Sequence, residues 1–593
     1  MTQSHRIDLR LVAAVFLSAA LILVLRTWMG QGGEPFFGDT DDAMRMVVVR
    51  DFLAGQGWYD LTQHRLNTPW GAEIHWSRLV DLPLALLVFV ATPLFGAADA
   101  AIFAGTVWPL LLLLALLWLS ARLALRLAGP EAVLPALILP MLSAAITAEF
   151  APGRIDHHNL VVVLTLAAVW AAVEAVSRPR FAWLAGLFAA LGLTVATESL
   201  PAAVAAILVF GLGYVFDPGR ARAMRHFGLA FGLATAAGLA LTRPPARWLE
   251  GACDMISPTY AGAALWVAVV FAAVSLLPAS QKSWQRLLLL AIPGATGVAG
   301  IVAVLYPECL GGPYGALDPW LQENWIGAIT EAKPWHETLL DLPAYAVSVG
   351  VPILLGLGVV VLRLWRVKAQ RAEWLVLFAF LFATAAVMLV QTRGARLAVM
   401  PAIPAAAWVI VTARHRYLAS RSLAAAGGLV VSWLMFSGAV LALAMTGLTA
   451  LLPGRAETVA AVLESKDQCL VPAAFADLAP LPPERIMTPI DLGAHLLLET
   501  PHAVVAAPYH RNEAGVLDAF RFFNGPISEA RGIAEARGIG LVVLCPAMPE
   551  MRGLAGRAED SFIELVGAGT LPDWLEEVTL PESALRVFAV LPQ

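Results

Sequence analysis

The sequence predicts a polytopic α-helical membrane protein with about 13 transmembrane helices, followed by an α/β domain that faces outward. Of its 593 residues, 59% are hydrophobic and only 14% are charged. The mean hydropathy of +0.73 excludes a soluble protein of this size. Apolar stretches of about 17 to 25 residues, the length that crosses a bilayer, recur up to about residue 451. Charged residues and prolines become frequent after that point.

The predicted spans divide the chain into a membrane part, residues 1–451, and an outer domain, residues 452–593. The first span carries no convincing cleavage site, so we expect a retained helix and not a signal peptide. The spans are expected at about 8–28, 101–126, 131–149, 159–177, 180–197, 199–216, 226–242, 260–278, 286–306, 343–363, 372–390, 397–412 and 423–451.

The apolar run 79–98 decides the orientation of the chain. Pro83 and Pro93 interrupt this run, and we expect it to dip into the outer interface without crossing. The basic clusters then lie on the inner side, as the positive-inside rule requires. These clusters lie at 122–126, 178–180, 220–225, 282–286, 363–371 and 414–421. The prediction is a bacterial inner-membrane protein with a cytoplasmic N-terminus, outer loops 29–100 and 307–342, and a periplasmic C-terminal domain.

The C-terminal part combines strand-like and helix-like segments, which is typical of a small α/β domain. Strand-like runs lie at 503–506, 541–544 and 584–588, and helix-like runs lie at 513–523 and 527–537. About 140 residues are enough to bury a core of their own. Cys469 and Cys545 both lie in this domain, and the sequence leaves open whether they form a disulfide.

An acidic cluster follows the first predicted span, in the outer loop 29–100. It contains Asp39, Asp41 and Asp42, and hard cations prefer such carboxylate ligands. Acidic residues also mark helix starts, because they favour the positive end of the helix dipole. Both interpretations stay open for this cluster alone.

A second cluster, Arg154-Ile155-Asp156-His157-His158, directly follows another predicted span. In an extended backbone, Asp156 and His158 point the same way, whereas His157 is expected to face away. A carboxylate with an imidazole suits a divalent transition metal such as manganese. The alternative is a hydrogen-bonded surface histidine pair without a ligand.

A third cluster, Thr330-Glu331, lies in the outer loop 307–342 among several tryptophans. Tryptophans anchor loops at the membrane interface, which explains them without any catalytic role. Anchoring at the interface does not explain the carboxylate of Glu331. A loop that carries a carboxylate could close over a substrate and exclude water.

Five motifs along the chain resemble, in order and spacing, the catalytic subunits of oligosaccharyltransferases, which are membrane glycosyltransferases of the GT-C class. Asp42 with the run 50–57 is similar to the family's first-loop aspartate and the helix after it. The other four are the turn at 68–71, Asp-x-His at 156–158, Ile-Thr-Glu at 329–331 and the arginine-led run 396–401. The family's second acidic motif usually reads Asp-x-Glu, and Asp-x-His occurs in some archaeal members. The WWDYG signature is absent, and Ile490-Asp491-Leu492-Gly493 takes its place. Since WWDYG helps to recognise the acceptor sequon, N-glycosylation of proteins is left unsupported.

The resemblance implies a role for each candidate residue. Asp42, Asp156 and His158 would bind a divalent metal, Mn²⁺ or Mg²⁺, with Asp41 in reserve. Arg396 would bind the phosphate of the lipid donor, and Glu331 would orient the acceptor. Further substrate contacts are predicted for Asp41, Arg154, His510 and Arg511. The last two follow a strand-like run and open a helix-like run of the outer domain, where the alternative is that they cap the helix.

The predicted function is metal-dependent transfer of a sugar or oligosaccharide from a polyprenyl-(pyro)phosphate donor to an acceptor on the outer membrane face. The acceptor would be a glycan, a lipid or a protein, and membrane lipids would surround the site. Three alternatives remain: a GT-C transferase that uses a polyprenyl-monophosphate monosaccharide, a lipid or glycan transporter, and a non-catalytic envelope scaffold. The net charge of −5 carries little weight, since the placement of Lys and Arg matters more in a membrane protein. No basic footprint for nucleic acid is seen, so we expect no nucleic-acid partner.

Overall fold

The computed structural model describes residues 7–278, 282–451, 468–548, 557–578, 580 and 583–591. The described residues of the membrane part form nineteen α-helices, α1 to α19, of which α5, α6, α13 and α14 are short. Their bounds are Leu9–Gly30, Thr40–Leu53, Arg78–Phe95, Ala97–Ala128, Val133–Ile138, Ala144–Glu149, His158–Ala175, Phe181–Val195, Leu200–Phe216, Ala221–Thr242, Pro258–Leu276, Ser283–Gly300, Pro319–Asn324, Trp335–Asp341, Pro343–Arg366, Arg371–Val390, Ala395–Ser420, Leu423–Phe436 and Gly438–Thr449.

The described part of the chain has 11 helices that are long and apolar enough to cross a membrane, or 12 if α18 and α19 form one span. These two helices meet at an angle of 85°. The predicted polytopic helical class is confirmed. Two predicted spans look different in the structure. Residues 131–149 form short helical pieces, with Pro135 and Pro140 among them, and α8 is an apolar helix of only 15 residues.

Helix α4 begins on the side of the membrane part that carries the Asp156 motif. The carbonyl of Gly105 in α4 accepts a hydrogen bond of 2.9 Å from the N–H of Gly153. At the other end of α4, Arg126 donates to Ser177, which follows α7, at 3.1 Å. Since α7 starts at His158, α4 and α7 both run away from the Asp156 motif.

Helix α3 covers the apolar run 79–98. It begins beside the Asp156 motif, because its Asp81 pairs with Arg45 of α2 at 2.8 Å, and Arg45 also contacts Asp156. It ends at Phe95, and Gly96 separates it from α4. From Gly96, Gly105 lies only about 14 Å further along α4. These contacts support the expectation that the run 79–98 stays on the side of the Asp156 motif, although the length and composition of α3 would also allow it to cross the membrane.

The C-terminal domain is built on one mixed sheet, which confirms the predicted α/β class. Strands β1 to β7 are Thr62–Gln63, Ala72–Glu73, Arg485–Met487, Ala503–Val504, Leu541–Leu544, Leu575–Val578 and Arg586–Val590, and helices α20 to α23 are Ile490–Glu499, Glu513–Asn524, Ile527–Arg537 and Phe562–Ala568. Strand order in the sheet is β4-β3-β5-β7-β6, in which β3, β4 and β5 are parallel and β7 is antiparallel to β5 and β6. The first outer loop adds the hairpin of β1 and β2. The predicted domain boundary near residue 452 lies outside the described residues.

The first outer loop packs against an edge of this sheet. The N–H of Val504 in β4 donates to the carbonyl of Arg65, and the carbonyl of Val504 accepts from the N–H of Thr68. The Arg65 side chain donates to the carbonyls of Leu497 and Thr500. These paired backbone groups make the first outer loop and the C-terminal domain one packed unit over the membrane part.

All four cysteines of the sequence form disulfides. Cys469 pairs with Cys545 inside the C-terminal domain, which answers the question that the sequence left open. Cys253 pairs with Cys309 and ties the α10–α11 connection to the outer loop 307–342.

Candidate functional site

Asp42 joins the first two acidic clusters. Asp39 caps α2 by accepting a hydrogen bond from the N–H of Asp41, which places Asp42 in the first helical turn, where it is 1% exposed. Its Oδ1 accepts from the N–H groups of Ile155 and Asp156 at 2.7 and 2.9 Å. Its Oδ2 lies 2.8 Å from Arg154 Nη1. Two motifs that are 114 residues apart therefore form one buried site.

Asp156 and His158 form the part of the site that is best suited to an ion. Asp156 is 2% exposed, and its Oδ1 contacts the backbone and ring nitrogens of His157 at 2.6 Å. Its Oδ2 lies 3.1 Å from His158 Nε2 and accepts no hydrogen bond from the described residues. The expectation that His157 faces away is wrong, because its ring nitrogen joins those of Asp156 and His158 within a 4.8 Å cluster.

Glu198 orients the His158 ring, and sequence reasoning missed this residue. Its carboxylate lies 3.1 Å from His158 Nδ1, which leaves Nε2 facing Asp156. A carboxylate on one imidazole nitrogen fixes the tautomer that offers the other nitrogen as a ligand. Glu198 lies just before α9, an apolar helix. The other clusters were predicted because their acidic residues lie beside apolar segments, and the same pattern could have identified Glu198.

A chain of charges connects this site to the third cluster. Glu149, also missed from the sequence, contacts Arg154 at 3.7 Å and Arg396 at 3.5 Å. Arg396 also pairs with Glu331 at 2.5 Å. Its Nη1 is buried and has no hydrogen-bond partner in the described part of the chain. Arg396 and Glu331, predicted from separate motifs, are therefore in direct contact.

The remaining predicted residues lie around this core. The hydroxyl of Tyr509, in the C-terminal domain, donates a hydrogen bond of 3.1 Å to the carbonyl of Thr40, next to Asp41, whose charge acts on Tyr509. His510 and Arg511 do not reach Asp42, and both bind Asp254 at 2.7 Å in a neighbouring cluster. The C-terminal domain thus contributes side chains to the rim of the site.

Burial and crowding of like charges perturb the acidic groups. Burial raises the pKa of Asp42 to about 7, against the lowering effect of Arg154. Burial and the nearby Asp156 raise the pKa of Asp41 well above its usual range. Burial would also raise the pKa of Asp156, but the imidazoles of His157 and His158 hold it well below its usual range. Carboxylates crowded in this way are stabilised by added positive charge.

The residues present fit a divalent ion. The Asp156 Oδ2 atom is buried without a hydrogen-bond donor among the described residues and lies 3.1 Å from Nε2 of His158, whose other ring nitrogen faces Glu198. Carboxylate and imidazole ligands suit Mn²⁺ and related ions. Asp42 lies at the same site, but Arg154 and backbone N–H groups engage its oxygens in this structure.

No family model and no curated protein sequence matches this chain. Solved structures do match. The archaeal oligosaccharyltransferase AglB from Archaeoglobus fulgidus, in complex with an inhibitory peptide and a dolichol-phosphate, has a TM-score of 0.69 and 14% identity, covering 98% of this chain and 74% of the other. The chain has the oligosaccharyltransferase fold.

Two further structures of the oligosaccharyltransferase from Archaeoglobus fulgidus show the same fold. The apo form has a TM-score of 0.62 and 15% identity, covering 90% of this chain and 69% of the other. The complex with Zn and sulfate has a TM-score of 0.58 and 15% identity, covering 89% and 67%. The resemblance drawn from the sequence motifs is confirmed at the level of this fold.

Binding of Mn²⁺ is expected to strengthen as the pH rises toward neutrality. Asp42, with a pKa raised to about 7, is protonated below that pH and must lose its proton to bind a metal. Asp39, Asp156 and Arg154 are the charged groups around it. Loss of the Asp42 proton alone corresponds to an affinity loss of about tenfold per pH unit below 7, and His158, whose ring lies between Glu198 and Asp156, must also be neutral to bind an ion. Calorimetric titration of Mn²⁺ between pH 5.5 and 8.5 measures this slope, and an affinity that is constant below pH 7 would contradict the assignment.

Proposed function

We propose that this chain is an integral-membrane glycosyltransferase. It transfers a sugar or an oligosaccharide from a polyprenyl-linked phosphate or pyrophosphate donor to an acceptor on the outer face of the bacterial inner membrane. The observation that carries this proposal is the buried pair of Asp156 and His158, whose ligand atoms face each other 3.1 Å apart. The proposal is supported by a shared fold with an oligosaccharyltransferase that was solved with a dolichol-phosphate.

Asp42, Asp156 and His158 would hold a divalent ion, Mn²⁺ or Mg²⁺, and Asp41 is the reserve ligand. When bound, such an ion supplies the positive charge that stabilises a leaving phosphate. Arg154 now neutralises Asp42, so it would have to give up this ion pair and could then contact the substrate. A structure with the same fold contains Zn and sulfate, which supports a cation and anion site in this fold.

Arg396 is suited to bind the donor phosphate. The Arg396 side chain is 10% exposed, and its guanidinium keeps one nitrogen without a partner among the described residues. Charge-assisted hydrogen bonds from arginine to phosphate are strong and directional. Glu331, whose side chain is 45% exposed, occupies Arg396 in this structure. Glu331 and the donor phosphate would therefore compete for one guanidinium, and the displaced carboxylate would be free to orient the acceptor.

Substitutions at this ion pair are expected to move the KM for the donor in opposite directions. Arg396→Ala removes about 1.5–3 kcal/mol of phosphate binding and should raise that KM by roughly 10- to 100-fold. Glu331→Gln removes the competing charge, so it should lower the KM for the donor and raise the KM for the acceptor. Initial rates at varied donor and acceptor concentrations measure both effects. A higher KM for the donor in Glu331→Gln would contradict the competition.

The proposed activity is tested by reconstituting the purified chain in proteoliposomes with polyprenyl-linked sugars that carry one or two phosphates. Labelled sugar should appear in a glycosidic product, chelation should stop the transfer, and Mn²⁺ should restore it. The preferred donor distinguishes an oligosaccharyltransferase-like enzyme from one that uses monophosphate monosaccharides. Movement of the labelled lipid across the bilayer without a product would contradict the proposal and identify a transporter.

A further inference from the structure

A second group of metal-ligating side chains lies outside the site described above. His75, Asp254 and His510 each offer one ligand atom, and these atoms all lie within 4.8 Å of one another. His75 follows β2 in the first outer loop, Asp254 lies in the α10–α11 connection, and His510 begins a short helical turn of the C-terminal domain. Three distant parts of the chain therefore meet at this point.

The contacts within this group leave one imidazole nitrogen without a partner among the described residues. His510 Nε2 lies 2.7 Å from Asp254 Oδ2, and the rings of His75 and His510 are 4.6 Å apart. His75 Nδ1 is buried and has no hydrogen-bond partner in the described part of the chain. Buried polar atoms without a partner are rare in folded proteins. An ion between the two rings would satisfy this nitrogen.

Neighbouring groups hold Asp254 in place. Arg511 donates to both of its carboxylate oxygens, from Nε at 2.7 Å and from Nη2 at 2.9 Å. Arg511 also pairs with Glu73, which offsets its positive charge near the group. The adjacent Cys253 is fixed by its disulfide to Cys309. The carboxylate is therefore oriented before any ion binds, as is typical of ligands in metal sites.

We propose that His75, Asp254 and His510 bind a zinc-class divalent ion that cross-links the first outer loop, the α10–α11 connection and the C-terminal domain. Two imidazoles and one carboxylate match the ligands that Zn²⁺ takes from proteins, with water as a fourth ligand. A hard ion such as Ca²⁺ prefers oxygen ligands alone. The site is distinct from the one at Asp156, shares no ligand with it, and does not depend on the proposed transfer activity.

Metal counting tests this proposal on the full-length chain in detergent, after metals are stripped and Zn²⁺ is returned by equilibrium dialysis. The His75→Ala/His510→Ala variant should bind one Zn²⁺ fewer than the wild type. His64→Ala is the matched control, because His64 lies in the same loop with its side chain 68% exposed, and it should keep the wild-type count. An unchanged count in the double variant would overturn the proposal.

A second measurement keeps the test valid if the double variant does not fold. An Asp156→Ala/His158→Ala variant keeps only the proposed second site, and zinc X-ray absorption should show two imidazole nitrogens around its bound ion. Absence of bound zinc, or a first shell without imidazole, would overturn the proposal. Failure of the proposed transferase function would appear separately, as absence of a glycosidic product from a wild type that binds zinc normally.

Discussion

Asp156→Asn is expected to lower the rate of glycosyl transfer by about 10²- to 10³-fold, the loss typical when one preorganised electrostatic group is removed from an active site. The substitution keeps the size of the side chain but removes the charge that its Oδ2 offers beside His158 Nε2. Asp42→Asn is expected to have a comparable effect, because it removes the carboxylate that joins the two acidic motifs. Transfer from a polyprenyl-linked sugar in proteoliposomes measures both losses.

Asp51→Asn is the matched control for these two variants. Asp51 lies on the same helix as Asp42, and its carboxylate accepts a hydrogen bond from Gln63 outside the charge network. It should retain transfer near the wild-type rate. Wild-type rates in both Asp42→Asn and Asp156→Asn would refute the catalytic assignment, provided that Mn²⁺ dependence is measured on the same preparations.

Arg45→Met is expected to destabilise the protein by about 3–5 kcal/mol, because removing one partner of a buried ion pair leaves uncompensated charge. Arg45 is fully buried and contacts Asp81 at 2.8 Å and Asp156 at 3.3 Å. Its guanidinium also lies 4.1 Å from the centre of the Trp76 ring. Methionine fills much of the same volume, so the loss of charge should account for most of the effect.

Unfolding of the detergent-solubilised chain by a chemical denaturant, followed by tryptophan fluorescence, measures this loss. Arg10→Met is a suitable control, since Arg10 is exposed on α1, and substitutions at such positions usually change stability by less than about 0.5 kcal/mol. An Arg45→Met variant as stable as the control would show that the buried charges around Asp156 do not depend on Arg45.

The helical membrane architecture could be predicted from the sequence because hydrophobic length is a local property. Ten of the thirteen predicted spans correspond to candidate membrane helices in the structure, and the bent pair of α18 and α19 covers an eleventh. The other two are 180–197, where α8 has only 15 residues, and 131–149. The segment 131–149 contains Pro135 and Pro140, and proline interrupts helical hydrogen bonding. Within the run 79–98, α3 is long and apolar enough to cross a membrane, yet it begins beside the Asp156 motif, and the following helix α4 contacts that motif again at Gly105.

The site could be predicted where its residues are neighbours in sequence, or where they belong to motifs that resemble the family, as Asp42 and Arg396 do. Asp156 and His158 are two positions apart, and this spacing predicted that their side chains point the same way. The helix start also brings the ring of His157 into the cluster. Glu149 and Glu198 follow the same pattern of acids beside apolar helices and could have been found. The partners of Arg45 and the group around His75 come from distant segments, and one sequence does not reveal such pairings.

The decisive measurement is pulsed EPR of Mn²⁺ bound to the full-length chain in the His75→Ala/His510→Ala background, which leaves only the ion site at Asp156. We predict a nitrogen coupling from one imidazole that disappears in His158→Ala, together with a weaker Mn²⁺ affinity in Asp42→Asn and in Asp156→Asn. A nitrogen coupling that persists in His158→Ala, or an Mn²⁺ affinity unchanged by both aspartate substitutions, would contradict a shared ion at these three residues.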